Sequence, residues 1–459
     1  MQLERRYNVR KYCFREHCMQ KIKIHKLGPV DHCELEIGDF TVFTGPQASG
    51  KSTVAKSIFF FKNIKNILFA QFKKQCLLNH TLTDDELRLS LKRRTEREIH
   101  SNFLQIFGTT WHMDMSMCLS CCYKNETSIM VSLKEDSLSP NYIWIELSPN
   151  LTKFINSLEY MMPKEPALVS QEALEDIKEK INSFFDDNAE IVYIPAGRSM
   201  ITLLSTQLNY IYSSMDDTQK KNLDYCTQNY LERILQLKPS FFLSITQMIQ
   251  NTMRLTDTKI NKQLLFSAAE LMKRILQGEY RNVDGEERLQ VSENRYVKIN
   301  FASSGQQEVV WILNVIFYYL LNNKKAYFII EEPESHLFPN AQKLITEFIA
   351  MAKGDGKNQI FITTHSPYIL GTINNLLYAD RISGIVDNTE LDKIISQDTW
   401  LQFSKLSAFF LKDGQVESCT DDEFGSIENE VIDGASADIN RDYEQMVLLK
   451  EKYLSGEVE

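Results

Sequence analysis

The chain has 459 residues, of which 43% are hydrophobic and 24% charged, and its formal net charge is −10. That length holds two or three domains, and the acidity excludes a uniformly basic nucleic-acid-binding surface while leaving room for a local patch. No apolar run approaches the roughly 18 residues of a membrane span, no secretory apolar core opens the sequence, and nine cysteines without framework spacing suit reduced thiols in a cytoplasm.

Residues 1–18 are polar and basic, with Arg5, Arg6, Arg10, Lys11 and Arg15. They read as an extension outside the fold or as the product of an upstream start codon, with Met19 as the natural start. The basic run is either a solvated tail or a contact for nucleic acid or membrane. Lys21 to His25 alternates as a strand, and Phe40-Thr41-Val42-Phe43-Thr44 reads as a short buried one. Then comes Gly45-Pro46-Gln47-Ala48-Ser49-Gly50-Lys51-Ser52-Thr53, with the G-x-x-x-x-G-K-[ST] spacing of a phosphate-binding loop. Val54 to Phe60 continues as a helix. Glycines let backbone N–H groups turn inward around an anion, and the helix N-terminus adds its positive end. Lys51 supplies a charge to the terminal phosphates, and the Ser52 hydroxyl a ligand for Mg²⁺.

The middle of the chain is less regular. Thr83 to Phe107 reads as a helix opened by Asp84, Asp85 and Glu86, where the helix dipole favours acids. Its Arg88, Lys92, Arg93, Arg94 and Arg97 form either a solvated face or a contact for phosphates. Trp111 to Glu146 alternates as a small antiparallel sheet. Cys118, Cys121 and Cys122 within it are too few for a zinc site and read as packed thiols. Ser170 to Phe185 reads as an amphipathic helix, and Asp186-Asp187 as a solvated loop. A strand returns at Glu190 to Pro195, and Arg198 near its end is either a phosphate- or metal-shell group or a structural arginine. Helices run from about Met200 to Gln277, and Arg288 to Phe301 reads as strands.

Three further motifs follow. Ser303-Ser304-Gly305-Gln306-Gln307-Glu308 opens an apolar helix, and its hydroxyl, bare N–H groups and dipole make a second anion site. Ala326 to Glu331 is a buried strand ending in Glu331-Glu332-Pro333-Glu334, at the strand end where open α/β sheets bind ligands. Glu331 would hold Mg²⁺, and Glu332, on the opposite side of the pleat, would orient or deprotonate water. Gln359 to Thr364 is a strand that runs into His365-Ser366-Pro367, where His365 can sense a γ-phosphate by a hydrogen bond.

The series GPQASGKST, SSGQQE, FIIEEPESHLFP and TTHSPY resembles ABC-type ATPases of the RecF, SMC and OLD kind, and with IPAGR it resembles the ATPase subunits of prokaryotic anti-phage systems such as PARIS, Septu and retron-associated systems. The resemblance implies an α/β, ABC-type P-loop nucleotide-binding domain with an inserted helical and small β subdomain. Residues 19–66 and 301–385 are then its two halves, 67–300 the inserted region carrying a core strand near 190–195, and 386–459 a strand pair around Asp413-Gly414 with a helix from about Asp438 to Tyr453. By the same resemblance Gly45 to Thr53 is Walker A, Ser304-Gly305 the signature, Glu331 and Glu332 the Walker B metal and base positions, Pro333 to Leu337 the D-loop, and His365 the switch histidine. The chain departs from the pattern at Gln306 (glycine in the transporter signature), at Glu331 (usually aspartate) and after IPAGR, where no glutamine stands.

The implied activity is ATP hydrolysis with Mg²⁺, in a head-to-tail dimer or higher oligomer whose subunits share each ATP between Walker A of one and the signature of the other. The implied biology is a cytoplasmic sensor or regulatory scaffold in phage defence. It would control a separate effector, such as a TOPRIM or HNH nuclease, in response to DNA or a phage protein, with no membrane partner. Two alternatives stay open: a structural scaffold in which ATP is glue and turnover incidental, and a RecF-like DNA repair ATPase.

Overall fold

A computed structural model describes residues 20–77, 89–124, 126–134, 142–162, 170–202, 224–255, 261–354, 356–428, 441 and 444–447. The basic stretch 1–18, the acids at 84–86 and most of the helix expected from about Asp438 lie outside these residues.

Strands β1 (Lys21–Leu27), β2 (Val30–Glu36) and β3 (Phe40–Thr44) lead to helix α1 (Lys51–Leu77). Helix α2 (Leu91–Phe107), β4 (Cys118–Tyr123), β5 (Thr127–Lys134), β6 (Tyr142–Leu147), α3 (Pro149–Tyr160), α4 (Gln171–Phe184) and β7 (Glu190–Ile194) follow. Helices α5 (Tyr225–Leu237), α6 (Ile245–Leu255) and α7 (Lys262–Leu276) precede the meander β8 (Glu279–Val283), β9 (Glu286–Ser292) and β10 (Arg295–Lys298). The last part holds α8 (Ser304–Leu321), β11 (Ala326–Glu331), α9 (Pro339–Met351), β12 (Gln359–Thr364), α10 (Pro367–Ile382), α11 (Asn388–Ile394), β13 (Leu406–Lys412) and β14 (Gln415–Ser418).

Eleven of these strands form one sheet in the order β6-β5-β4-β1-β2-β14-β13-β3-β12-β11-β7. From β13 to β7 it is parallel, and these strands are apolar on both faces because helices cover both. Phe40, Val42, Val192, Ile194, Phe328, Ile330, Ile360 and Ile362 enter the core under α5 to α10. Their alternates Phe43, Ile191, Tyr193, Tyr327, Ile329 and Phe361 enter the core around α1. The period of two in a pleated strand produces this division. Helix α1 is buried on nearly every side, with Phe59, Phe60 and Phe61 all enclosed, because it packs against both the parallel strands and the antiparallel end of the sheet.

Three expectations change here. The strands between Trp111 and Glu146 do not form a sheet of their own, because the outer edge of β1 is free to bond β4, pairing His25 with Cys118 and Lys21 with Cys122. Helix α2 starts at Leu91, where the Ser90 side chain accepts the Arg93 N–H, and Arg94 lies buried against Gln75 rather than on a solvated face. Asp187 is buried, not solvated. Its carboxylate pairs at 3.0 Å with both Lys62 and Lys65 of α1. Asp186 is the exposed neighbour, paired with Lys124.

Candidate functional site

The phosphate loop leaves the end of β3 and turns into α1. A Cβ on Gly45, whose φ is +147°, would stand 2.2 Å from the Leu411 carbonyl oxygen, so the neighbouring strand β13 leaves room only for glycine. Gly50, at φ +110°, would meet Val30 at 2.7 Å. Ala48 at φ +60° completes the inward turn of the loop. The Lys51 ammonium lies over the loop, 2.9 Å from the Gly45 carbonyl and 2.8 Å from that of Pro46. Burial pushes its pKa down to about 8, partly offset by the carboxylates of Glu332 and Glu334. Ser52 is exposed at the start of α1.

β12 lies beside β3, so its end brings His365 to the loop. His365 Nδ1 lies 3.1 Å from the Gly45 carbonyl and 3.3 Å from Lys51 Nζ, and its Nε2 lies 3.0 Å from Glu332 Oε1. The ring thus stands between Glu332 on one side and the Gly45 carbonyl and Lys51 on the other, and a proton on Nδ1 donates to Gly45 whereas a bare Nδ1 accepts from Lys51. The hydrogen bond from His365 lowers the Glu332 pKa against the opposing effect of burial, aided by the nearby Lys51 charge. That keeps the carboxylate ionised at neutral pH, as a base must be.

Glu332 reaches His365 by a route that alternation along a strand does not give. β11 ends at Glu331, and Glu332 adopts a left-handed φ of +42° with its N–H on the Thr363 carbonyl at 2.9 Å. Glu331 is buried beneath it. Its Oε2 accepts the Ala196 N–H at 3.4 Å, and the buried Tyr193 hydroxyl lies against the same carboxylate. A buried carboxylate charge is costly unless it is paired, and Mg²⁺ bound at this strand end would supply the opposite charge. Among the described residues no group of three or more His, Cys, Asp or Glu side chains is placed to hold a metal. Mg²⁺ takes one or two protein ligands beside phosphate and water. Ser52 and Glu331 would hold it, and bound there it would neutralise charge on the phosphates.

Glu334 was not assigned a role from sequence. Its Oε1 accepts from the Thr364 hydroxyl and from the His365 N–H, both at 2.7 Å, so it ties the turn after β11 to the turn after β12. Burial raises its pKa. The repeated carboxylates of Glu331-Glu332-Pro333-Glu334 were the only sequence signal for it.

Ser304 and Gly305 stand apart in their bonding. Ser303 caps α8 in a capping box with Gln306, and the Gln306 side chain also donates to the Leu276 carbonyl at 2.7 Å. Glutamine thus has a local reason to stand where the transporter signature has glycine. A Cβ on Gly305 would meet the His336 carbonyl at 2.7 Å, so the helix start packs on the turn after β11. Ser304 is exposed. Among the described residues, the hydrogen bonds of Ser303 to Gln307 reach Leu276, Ile299, Asn300, Ala302 and Thr202, and none reaches the phosphate loop.

Arg198 is not placed to touch a nucleotide. It is 0% exposed, and its guanidinium donates to the carbonyls of Pro195, Glu331 and Glu332 at 2.6, 2.6 and 2.9 Å, and through Nε to the Glu308 carbonyl at 3.0 Å. These partners are all groups of the chain itself, two of them at the strand end that carries Glu331 and Glu332.

Ending β3 in a phosphate loop and the neighbouring parallel strands in carboxylates and a histidine places the chain among the P-loop ATPases. The sequence matches the AAA ATPase domain family (AAA_15) over residues 19–370, and the chain belongs to that family. Similar solved structures include an SMC head bound to the C-terminal winged-helix domain of ScpA, at 12% identity and TM-score 0.40, covering 88% of this chain and 98% of that one. The SMC head domain from Thermotoga maritima is 13% identical with TM-score 0.34, covering 87% and 98%. A Pyrococcus furiosus Smc head with an extended coiled coil, bound to the C-terminal domain of ScpA, is 11% identical with TM-score 0.37, covering 92% and 100%. No curated protein matches the chain. Among the described residues no helix is long and apolar enough to cross a membrane.

Proposed function

We propose that this chain binds ATP with Mg²⁺ and hydrolyses it in a head-to-tail dimer, each ATP lying between Gly45 to Thr53 of one subunit and Ser304-Gly305 of the other. The observation that carries the hydrolysis is the meeting of Lys51 and His365 at the Gly45 carbonyl, with Glu332 on the far ring nitrogen of His365, through contacts of 2.9 to 3.3 Å. In this reading Lys51 and the loop N–H groups bind the phosphates. Glu332 takes the proton of the attacking water, and His365 orients Glu332. Replacing a general base typically costs roughly 10²- to 10⁴-fold in rate. Glu332→Gln is therefore expected to keep ATP binding and lose turnover, whereas Lys51→Ala loses binding. Purified chain that neither binds nor hydrolyses ATP would overturn the proposal.

Dimerisation is supported by the separate bonding environments of the two anion sites and by the exposure of Ser304. The proposed biological role is a sensor or regulatory scaffold in phage defence, controlling a separate nuclease. Its support is the motif resemblance alone. The test is phage plating on cells carrying the native locus. Protection that disappears with Lys51→Ala supports the role, and equal plating with and without the locus refutes it.

A further inference from the structure

If the chain is the ATPase proposed above, Arg198 has a task beyond stabilising the fold. We infer that Arg198 is a positioning residue that, with Glu308, links the start of the signature helix to the backbone that carries Glu331 and Glu332, so that contact made at Ser304 sets the orientation of the Glu332 carboxylate.

Glu308 lies one helical turn after Ser304 on α8 and is 2% exposed. Its Oε2 accepts the Arg198 N–H at 3.0 Å and its Oε1 the Ser199 N–H at 2.9 Å. The carboxylate therefore binds the first N–H groups of the helical turn at 198–202, where the helix dipole favours a negative charge. The same Oε2 lies 3.3 Å from Arg198 Nε. The far end of the guanidinium holds the Glu331 and Glu332 carbonyls. One rigid planar group thus spans from α8 to the strand end where metal and base positions sit. The loop it crosses is pinned as well, since Ala196 donates to Glu331 Oε2 and Thr202 donates to the Gln307 carbonyl at 2.9 Å.

The tie ends on the residue most sensitive to it. Glu332 leaves the strand in a left-handed conformation, which is strained for a residue with a side chain unless surrounding bonds hold it. Arg198 Nη2 on its carbonyl and Thr363 on its N–H are those bonds. Moving α8 moves Glu308, and with it the guanidinium that fixes Glu332. The contact of Gly305 with the His336 carbonyl is a second joint between the same parts, but it ends beyond Glu332 in the turn.

The experiment compares full-length wild type, Arg198→Lys, Glu308→Gln and the pair Arg198→Met with Glu308→Gln. Unpairing a buried charge destabilises by itself. The pair leaves no lone charge, but the glutamine oxygen replaces only one of the two carboxylate oxygens that hold the N–H groups of 198 and 199, so some loss of stability is expected and is measured as Tm. ATP binding, kcat, KM and Tm are measured for each. A displacement of about 1 Å near reacting groups costs roughly 10²-fold in rate. The expected result is a kcat lowered by about that factor in the pair at a temperature well below its Tm, with ATP affinity close to wild type. Glu308→Gln alone is expected to be milder. If the pair folds, binds ATP and turns over at the wild-type kcat, the inference is overturned. A kcat that falls only in step with Tm also overturns it, since stability would then be the whole role. Wild-type chain that does not hydrolyse ATP would instead overturn the ATPase proposal on which the inference rests.

Discussion

At the scale of single residues, Lys51 and Gly45 carry the sharpest expectations. With a pKa of about 8, Lys51 is mostly ammonium at neutral pH and mostly neutral amine above pH 9. ATP affinity is therefore expected to be flat up to about pH 7.5 and then to weaken by up to roughly tenfold per unit, as titration calorimetry across pH 6.5 to 9.5 would show. Affinity that stayed constant to pH 9.5 would mean that Lys51 keeps its ordinary pKa. Gly45→Ala forces a Cβ into the Leu411 carbonyl at a backbone angle that favours glycine. Overpacking and strain together predict a loss of roughly 3 kcal/mol or more, read by denaturant unfolding, together with loss of nucleotide binding.

At the scale of elements, the Asp187 cluster fastens α1 to the chain that enters β7. Lys65 also donates to the carbonyls of Asp187 and Ala189 at 2.8 and 2.6 Å. Burial pushes the Asp187 pKa up, but Lys62 and Lys65 outweigh it and hold the carboxyl below its ordinary value. The sign follows. Its contribution is complete above the usual carboxylate pKa, about 4, and is lost only as pH falls through the lower native value. Asp187→Asn leaves two buried ammonium groups without their carboxylate and is expected to cost about 3–5 kcal/mol, measured by denaturant unfolding at pH 7. A cost below 1 kcal/mol would show that water or the carbonyls suffice for both lysines. Asp187 also marks the limit of what sequence reveals. The phosphate loop, the Glu331-Glu332 strand end and His365 were legible because each motif is contiguous and its period of two or its glycines are local. The burial of Asp187 and Arg198, and the bonding of β4 to β1, arise from residues tens to hundreds of positions apart, and no local period records such pairings. Glu332 was assigned by strand alternation, and its left-handed backbone could not be read from residue type.

At the scale of the whole molecule, the proposed dimer gives an outcome that mass measurement can decide. With Glu332→Gln and ATP the chain is expected to accumulate as a dimer, and adding Ser304→Arg, which places bulk at the shared site, is expected to return it to monomer without affecting its fold. A mass indifferent to ATP in the first variant would count against the shared site. The order of strands has one more consequence. β3, which launches the phosphate loop, is flanked by β12 and by β13, and its Phe40 pairs in register with Ile360 on one side and Leu406 on the other. The wall against which Gly45 rests is Leu411. A nascent chain therefore carries its nucleotide loop through most of synthesis without the two strands that shape it, and such distant pairings form slowly. The walls of the loop are thus drawn from the far end of the sequence, and a truncation that removes β13 is expected to leave the loop without the surface that holds its backbone.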